Sequence, residues 1–415
     1  MPSTNNVTAR KRIAIVTMGV KLGDETRGYT RFRFLAEFLA QKGYAVDLIT
    51  SSFQHWDKAQ RDVNSEEYLG LPYRVVFIKE PGYKRNLDLR RIHSHAVAAR
   101  GMEDYFAKHA GQYALIYSEI PPNDVALACA RAAQRDGIPY VADINDLWPE
   151  AMRMVVDIPV VSDVMFHGFT RDAHKVYRLL SGAVGTSDEY AARPALDRVE
   201  PYPHVTCYVG NELAEFDAGV AKHAKDIRKP AGEFWVTYAG TLGASYDLAT
   251  TVKAAAALAP DYPQLRVKVL GDGPDRQKLE ELAGRLHAPV DFVGYTAYPL
   301  MAAYLTRSDV TLNSLVKAAP QSIVTKIGDY LAAGKPMINT GSSPEMRAKT
   351  DSDGFGVNVV AEDPAELAGA IVALMENAEA RAVMGARARQ VAETEFDRPQ
   401  SYERIVGLLE KLMGA

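Results

Sequence analysis

Apolar, β-branched runs alternate with apolar residues at helical spacing through the first half of the chain. Residues 12–18 are continuously apolar, as in a strand buried on both faces. Residues 29–42 have helical spacing and stop before Gly43, and residues 44–50 form a second apolar run. The same alternation predicts strands 73–78, 113–118, 139–144 and 182–186, and helices 87–108, 123–135 and 162–180. This succession predicts an α/β fold with a mainly parallel sheet and helices on both faces.

A second α/β series begins after a polar, glycine- and charge-rich stretch. It predicts strands 234–239, 265–270, 290–293 and 309–312, with helices 247–258, 276–286, 299–306, 363–375 and 380–395. We therefore expect two Rossmann-like domains, over residues 1–208 and 234–396, with a linker at 209–233. The last segment, 397–415, is an amphipathic helix that no strand follows, so it is free to pack elsewhere.

Residues 317–339 combine a polar loop, a short helix and the start of a strand, directly after another strand. Apolar residues from Ile323 to Leu331 have helical spacing, and Gly334 ends the helix. In open α/β sheets, ligands bind at the carboxyl ends of the strands, where helix N-termini attract anions. Lys326 is suited to a phosphate and Asp329 to hydroxyl groups, which makes this stretch the best candidate for the functional site.

Glycine-rich loops follow three consecutive predicted strands of the second half. They contain Gly240, Thr241 and Gly243, then Gly271 and Gly273, then Gly294 and Tyr295. Glycines at such positions let backbone amides approach a phosphate closely. The glycine loop at residues 19–28 lacks GxGxxG spacing, and no acidic residue ends the strand that follows. A dinucleotide site in the first half, and with it an NAD-dependent dehydrogenase, is therefore disfavoured.

Size and composition restrict the class further. The chain has 415 residues, 47% hydrophobic and 24% charged, as in a soluble protein of two domains. A net charge of −4 gives no general attraction to nucleic acid, and two cysteines support neither a disulfide framework nor a zinc site. Neither a signal-peptide core nor eighteen consecutive apolar residues occurs. We expect a cytoplasmic protein that contacts a membrane at most peripherally, and no nucleic-acid partner.

Several stretches resemble family 4 glycosyltransferases of the GT-B fold. They are YAGTLGASYDL, VLGDGPDRQKLEEL, VDFVGYTAYPLMAAYLTRSDVTLNSL and TKIGDYLAAGKP, and they cover most of residues 234–340. In the first half, VADINDLWPEAM resembles a stretch of bacterial members that make envelope or capsular polysaccharides. The C-terminal FDRPQSYERIVGLLEKL resembles the family's crossing helix. The resemblance implies two domains facing across a cleft and a last helix, 397–415, that returns to the N-terminal domain.

The resemblance also implies a retaining transferase that moves a sugar from a nucleotide diphosphate. UDP is the expected nucleotide because it is common in the family. We expect no cofactor or metal. The family's E-x7-E motif falls on Gln321 and Asp329, so an amide replaces the first acid. Asp329 remains suited to ribose hydroxyls, and Lys326, with Lys317, would neutralise the departing diphosphate. The expected donor-binding residues are Gly23, Gly240, Thr241, Gly243, Gly271, Gly273, Gly294, Tyr295, Ser322, Thr325 and Asp329. The expected catalytic residues are Asp146, Lys326 and Gln321.

Two features of the first half are candidates for acceptor binding. Asp146 follows a predicted strand, where many relatives have His-Asp, and is suited to orienting or deprotonating an acceptor hydroxyl. The alternative is an aspartate that caps the turn before Trp148. The segment 83–91 is rich in cations that suit the pyrophosphate of a lipid-linked acceptor or anionic headgroups, namely Lys84, Arg85, Arg90 and Arg91. The alternative there is a solvated helix start.

Three further interpretations remain open or disfavoured. Asp351-Ser352-Asp353 matches the DxD metal motif of the other large glycosyltransferase fold, and in a GT-B fold we do not expect it to bind metal. The leading hypothesis is transfer to a lipid-linked or saccharide acceptor in polysaccharide or glycolipid biosynthesis. The alternatives are a nucleotide-sugar 2-epimerase of the same fold, or a non-catalytic subunit that binds a nucleotide sugar.

Overall fold

The computed structural model describes residues 10–414, except 24, 26, 27, 86, 87, 154–160 and 320–322. It divides into two compact units. The first comprises Met1–Cys207 with Tyr402–Ala415, and the second comprises Tyr208–Ser401. Each unit contains a parallel sheet with helices, which confirms the predicted pair of Rossmann-like α/β halves.

The first unit contains a seven-stranded sheet in which every pair of neighbours is parallel. The strands of this unit, in chain order, are β1 (Arg12–Val16), β2 (Ala45–Ser51), β3 (Phe53–Gln54), β4 (Ala59–Gln60), β5 (Arg74–Ile78), β6 (Leu115–Ile120), β7 (Tyr140–Ile144), β8 (Gly182–Gly185) and β9 (His204–Thr206). Strands β3 and β4 form a short antiparallel pair of their own, and the other seven form the sheet. The sheet order is β5-β2-β1-β6-β7-β8-β9. Crossover connections between these parallel strands therefore carry the helices.

The helices of the first unit before residue 207 are α1 (Arg31–Gln41), α2 (Leu89–Lys108), α3 (Asn123–Asp136), α4 (Glu150–Arg153), α5 (Val161–Leu179) and α6 (Asp188–Ala192), with 3₁₀ turns at Glu66–Tyr68 and Arg193–Leu196. Strand β1 shows why they cover both faces. Ala14 and Val16 belong to one apolar core, while Ile13 and Ile15 belong to another, and all four are buried. Successive side chains of a strand point to opposite faces, so an uninterrupted apolar run needs a helix layer on each side.

The second unit contains a six-stranded parallel sheet of order β12-β11-β10-β13-β14-β15. Its strands are β10 (Phe234–Ala239), β11 (Leu265–Leu270), β12 (Val290–Gly294), β13 (Val310–Asn313), β14 (Met337–Asn339) and β15 (Gly356–Asn358). Its helices are α7 (Leu213–His223), α8 (Leu248–Leu258), α9 (Arg276–Leu286), α10 (Tyr298–Arg307), α11 (Ile327–Ala332), α12 (Pro344–Asp353), α13 (Pro364–Glu376), α14 (Ala378–Val391) and α15 (Arg398–Ser401), with a π turn at Ala392–Phe396. The carboxyl ends of its parallel strands share one edge, which is where the glycine loops were expected.

The segment predicted as a linker, 209–233, instead contains helix α7, which belongs to the second unit. Leu213 and Phe216 are buried on one face of it, and the ring of Phe216 lies 6.4 Å from that of Tyr298 on α10. A Cβ on Gly219 would lie 2.7 Å from the Cα of Pro299, so the glycine permits close approach of the two helices. The polar composition of this stretch concealed the narrow apolar face of helix α7. Gly219 does not end the helix but lies inside it, where it packs against Pro299.

The C-terminal segment forms helix α16 (Glu403–Leu412), which contributes Ile405 and Leu409 to the core of the first unit. Tyr402, just before it, takes part in a buried polar cluster. The Arg31 guanidinium donates through Nε and Nη2 to the Asp143 carboxylate at 2.8 and 3.1 Å, and through Nη1 to the Tyr402 hydroxyl and the Cys207 carbonyl, both at 3.1 Å. A buried ion pair is thus satisfied by polar groups from four parts of the chain.

The structure also differs from the predicted elements near two motifs. Helix α11 begins at Ile327, so the turn of apolar residues before it, including Ile323, is not helical. Asp351-Ser352-Asp353 forms the end of helix α12 rather than a polar loop, and Lys349 donates to Asp353 at 2.8 Å. No helix within the described ranges is long and apolar enough to cross a membrane.

Candidate active site

The three glycine loops of the second unit contact one another at the carboxyl edge of its sheet. The Gly240 amide donates to the Leu270 carbonyl at 2.8 Å, and the Gly271 amide donates to the Gly294 carbonyl at 2.8 Å. The Leu242 amide donates to the Asp272 carbonyl at 3.0 Å. The structure therefore brings together the loops after β10, β11 and β12.

Glycine is required in these loops because the backbones nearly touch. A Cβ on Gly271, which has φ of +143°, would lie 1.8 Å from the Gly240 carbonyl oxygen. A Cβ on Gly273 would lie 2.1 Å from the Leu242 carbonyl oxygen. The first function of these two glycines is thus to let adjacent loops pack, whatever the loops bind.

Loop packing also decides which amides remain for a ligand. The N–H groups of Gly240 and Gly271 are used between loops, and that of Gly273 donates to the Asp272 carboxylate at 2.8 Å. Within the described chain, the amides of Thr241 and Gly243 donate to no other group. Thr241 is exposed and Gly243 is half-buried, so these two amides are among the donors that this loop can offer to an anion.

Lys326 lies at the N-terminus of helix α11, beside the first glycine loop. Its Nζ is 3.0 Å from the Tyr238 hydroxyl, 4.3 Å from the centre of the Tyr238 ring and 3.8 Å from that of the Tyr246 ring. A Cβ on Gly240 would lie 2.8 Å from this Nζ. Two aromatic faces and a glycine turn thus hold the ammonium at the carboxyl edge of the sheet.

The Lys326 ammonium has no carboxylate partner among the described residues. Burial therefore lowers the pKa of Lys326 well below its usual value, and no opposite charge offsets the effect. A lysine that is held in place without an opposite charge is suited to an anionic ligand, because such a ligand would favour its protonated form. Lys317, predicted to assist it, is exposed, and its backbone amide donates to Glu362 at 3.0 Å.

Asp329, one turn further along α11, is anchored by two neighbours. Its Oδ1 accepts hydrogen bonds from the Asn211 amide group and from the Tyr298 hydroxyl, both at 2.9 Å. Burial raises the pKa of Asp329, while these two hydrogen bonds oppose the rise. Both of these hydrogen bonds are accepted by Oδ1, and a role of Oδ2 toward ribose hydroxyls stays a prediction.

The remaining predicted donor-site residues have diverse positions. Thr325 is exposed, and Tyr295 is 81% exposed beside Gly294, whose φ is +90°. Gly23 belongs to the first unit, where a Cβ on it would lie 2.1 Å from the Glu67 carboxylate, a neighbour that does not favour phosphate. Gln321 and Ser322 lie outside the described residues.

The first unit has a polar pocket, with a cavity volume of about 180 Å³, at the carboxyl ends of β1, β6 and β7. Asp146 lines it, with Oδ1 accepting from the Leu147 amide at 2.9 Å and Oδ2 from the Trp148 indole at 3.2 Å. Burial raises the pKa of Asp146. The hydrogen bonds to Leu147 and Trp148 agree with an aspartate that caps the turn. The position of Asp146 in a pocket agrees with a role toward an acceptor hydroxyl, so both interpretations of Asp146 stay open.

Glu119 is a second carboxyl group in this polar pocket, and the sequence analysis did not identify it. Its Oε2 accepts from the Thr17 hydroxyl at 2.7 Å and from the Met18 amide at 3.1 Å. Burial raises the pKa of Glu119 to about 7, although these hydrogen bonds favour the charged form. The available signal was an acidic residue inside the apolar run of β6, at its carboxyl end.

Arg91 is the one predicted acceptor-binding cation that lines the polar pocket; Lys84, Arg85 and Arg90 are exposed. Its guanidinium lies 4.7 Å from the ring centre of Trp148 and 5.5 Å from that of Tyr83. Two histidines also line the pocket. Burial and neighbouring cations lower the pKa of His55 to about 4 and that of His95 to about 3, so both are neutral near pH 7.

No group of three or more histidine, cysteine or acidic residues in the described ranges is arranged to hold a metal ion. Comparisons with known proteins indicate the class of protein. Residues 233–377, which lie in the second unit and include its glycine loops and Lys326, match the family model described as Glycosyl transferases group 1. No curated protein sequence matches the chain.

Solved structures match almost the whole chain at low sequence identity. The structure of HepE from Anabaena in complex with UDP has a TM-score of 0.71 at 15% identity, covering 97% of this chain and 100% of that one. Sucrose-phosphate synthase from Thermosynechococcus elongatus has a TM-score of 0.71 at 18% identity, covering 98% and 100%. WaaG, a glycosyltransferase involved in lipopolysaccharide biosynthesis, has a TM-score of 0.64 at 13% identity, covering 97% and 100%.

These matches define the fold as GT-B, which confirms the expected fold class. The family match to the second unit, together with this fold, supports a glycosyltransferase that uses a nucleotide sugar. The assignment to family 4 and the specificity for envelope polysaccharide stay predictions.

Proposed function

We propose that this chain is a retaining glycosyltransferase that moves a sugar from a UDP-sugar to the hydroxyl of a lipid-linked or saccharide acceptor, in polysaccharide or glycolipid biosynthesis. The observation that carries the proposal is the side chain of Lys326, held beside the glycine loops with no carboxylate partner among the described residues. Similar structures with bound UDP or UDP-glucose support the choice of donor.

Departure of UDP is the step that the second unit would assist. The bond between the sugar C1 and the β-phosphate oxygen breaks, and its electron pair stays on the diphosphate. Lys326 and the free amides of Thr241 and Gly243 would stabilise that negative charge. Gln321 cannot act as a carboxylate nucleophile, so we propose attack from the face that UDP leaves, with a departing phosphate oxygen taking the acceptor's proton.

The acceptor would bind in the polar pocket of the first unit. Asp146, fixed by Leu147 and Trp148, would orient the acceptor hydroxyl by accepting a hydrogen bond from it. Glu119, whose pKa is about 7, is a further group in the same pocket that can accept a proton near neutral pH. We propose that both acids belong to the acceptor site.

We further propose that the protein works in the cytoplasm, in peripheral contact with the inner face of the membrane, and uses no cofactor or metal. Lys326 would supply the positive charge that the departing diphosphate needs. The donor would then be consumed at the same rate with magnesium and with excess EDTA.

The test is slow hydrolysis of UDP-sugars, because water replaces the unknown acceptor. The full chain is incubated with UDP-glucose, UDP-galactose or UDP-N-acetylglucosamine, and proton NMR records the anomer first released. We expect release of UDP with the anomer of the donor retained, in magnesium and in EDTA. Release of the opposite anomer would overturn retention. Conversion of a UDP-sugar into its 2-epimer without release of UDP would identify the epimerase instead.

Asp329→Asn should weaken binding of UDP by about tenfold, because a hydrogen bond to a charged carboxylate is worth about 1.5–3 kcal/mol. The measurement is the difference in affinity between UDP and 2′,3′-dideoxy-UDP, which lacks the ribose hydroxyls. This difference should shrink in the variant, because the variant has lost the hydrogen bond between the carboxylate and those hydroxyls. Glu281→Gln, an exposed change on helix α9, is the control. An unchanged preference for UDP would remove Asp329 from the ribose site.

Binding of UDP should take up a proton at Lys326. Burial lowers the pKa of Lys326 in the free protein, whereas a bound diphosphate favours the charged form and raises it. Between these two values binding adds a proton, so affinity should fall as pH rises through that interval. Calorimetry at pH 8–9, where the terminal phosphate with a second pKa of about 6 is ionised, measures the uptake in buffers of different ionisation enthalpy. Equal heats of binding in all buffers would contradict proton uptake at Lys326. Lys326→Met should abolish the dependence of the heat on the buffer.

A further inference from the structure

An apolar groove lies between helices α2 and α5 of the first unit. It has a cavity volume of about 320 Å³ and is lined mainly by apolar side chains, namely Leu89, Ile92, Met152, Met165, Phe166 and Phe169. Three of these side chains are open to solvent, with Leu89 82%, Met165 48% and Ile92 47% exposed. A concave apolar surface of this size, left exposed by the residues that the structure describes, indicates a binding site.

The apolar groove is continuous with the polar pocket that contains Asp146 and Glu119. Arg91, His95 and Trp148 line both. The Arg91 guanidinium lies over the Trp148 ring, 4.7 Å from its centre, so a cation stands where the apolar lining gives way to the polar one. A ligand that fills both spaces must pass this cation.

Arg91 is the cation that lines the groove, and further cations are close to Leu89 and Arg91 in the sequence. Lys84, Arg85 and Arg90 are exposed in the segment that leads into helix α2. The acid that lines the groove, Asp88, caps the helix by accepting from the Arg90 amide at 2.9 Å. Arg153 lies over the Phe166 ring at 5.9 Å and donates to Asp163 at 2.7 Å. The groove thus combines an apolar lining with one lining cation, Arg91, which is complementary to an anionic amphiphile.

We infer that the groove holds the hydrocarbon chain of an isoprenoid lipid whose phosphate or diphosphate contacts Arg91 and whose saccharide enters the polar pocket. The inference rests on the proposed function and narrows its acceptor to the lipid-linked class. A protein helix would cover the apolar groove but would place nothing in the polar pocket. An isoprenoid diphosphate sugar satisfies the apolar, cationic and polar parts in the order in which they adjoin.

Farnesyl diphosphate tests this assignment, because it carries the chain and the anion without the unknown sugar. Its binding to the full chain is compared by calorimetry with that of farnesol and of inorganic diphosphate. We expect farnesyl diphosphate to bind at least tenfold more tightly than either fragment. Ile92→Glu and Met165→Glu, changes at partly exposed positions that folding tolerates, should each weaken it at least tenfold. Val199→Glu is the matched control, since Val199 is 98% exposed in the same unit and outside the groove.

Other outcomes overturn the inference. Farnesyl diphosphate that binds no more tightly than inorganic diphosphate would show that the groove takes no chain. If Met165→Glu lowers association with phosphatidylglycerol vesicles but not affinity for farnesyl diphosphate, the groove meets a membrane surface instead. Binding of UDP to the wild-type chain is measured alongside. UDP binding without chain-dependent lipid binding overturns this inference alone, whereas lipid binding with no nucleotide bound would contradict the proposed function.

Discussion

Lys326→Met should lower turnover of the UDP-sugar by on the order of a hundredfold or more, as expected when a cation that stabilises developing charge is lost. Methionine keeps the length of the side chain and its packing between Tyr238 and Tyr246, and removes only the ammonium. The measurement is kcat for UDP release. The physical reason is that the described residues offer the departing diphosphate no other partly buried, unpaired ammonium beside the glycine loops.

Lys335→Met is the matched control for this prediction. Lys335 is also a lysine of the second unit whose pKa is lowered by burial, but it precedes β14 and so lies at the amino edge of the sheet. Its replacement should leave kcat within about twofold of wild type, because it is remote from the developing charge. Near-normal turnover by a folded Lys326→Met variant would remove Lys326 from the catalytic step.

Asp143→Ala should lower the free energy of unfolding of the first unit by about 3–5 kcal/mol, the usual cost of leaving a buried charge without its partner. Arg31 and Asp143 are 1% and 0% exposed, and the Tyr117 hydroxyl donates to Asp143 at 2.5 Å. Without the carboxylate, Arg31 keeps its hydrogen bonds to the Cys207 carbonyl and the Tyr402 hydroxyl, but loses the ion pair with Asp143.

Urea unfolding followed by tryptophan fluorescence measures this loss. Trp56 and Trp148 lie in the first unit and Trp235 in the second, so a Trp235→Phe background restricts the signal to the first unit. The control is Glu403→Ala, which breaks a half-exposed ion pair with Lys42 at helix α16 and should cost less than about 1 kcal/mol. Equal losses in the two variants would contradict the special role of the buried pair.

The sequence predicted the sheets well because buried parallel strands need long apolar runs, as in β1 and β10. It predicted that the glycine loops share one edge because each follows a strand directly, and it singled out Lys326 because that lysine lies in the loop and helix that follow β13. It did not predict which loop amides stay free, since the Gly240 and Gly271 amides are used by contacts between loops that are far apart in sequence.

Features assembled from distant segments were not visible in the sequence. The apolar groove combines Ile92, Trp148 and Met165, which share no local pattern. Glu119 was hidden inside an apolar strand, and the burial that raises its pKa, against the hydrogen bond from Thr17, is a property of the folded chain. Helix α7 was missed because its apolar stripe is narrow and Gly219 resembles a helix end.

The most direct test of the central claim, a nucleotide diphosphate site built around Lys326, is thermal unfolding of the wild type and Lys326→Met with UDP, UMP, GDP, ADP and NAD. A ligand that binds only the folded state raises the unfolding temperature by mass action. If Lys326 binds the diphosphate, UDP should raise the unfolding temperature of the wild type without magnesium, and more than UMP does. Lys326→Met should remove most of the difference between UDP and UMP. Stabilisation by NAD alone, or an equal response of both proteins to UDP, would contradict the claim.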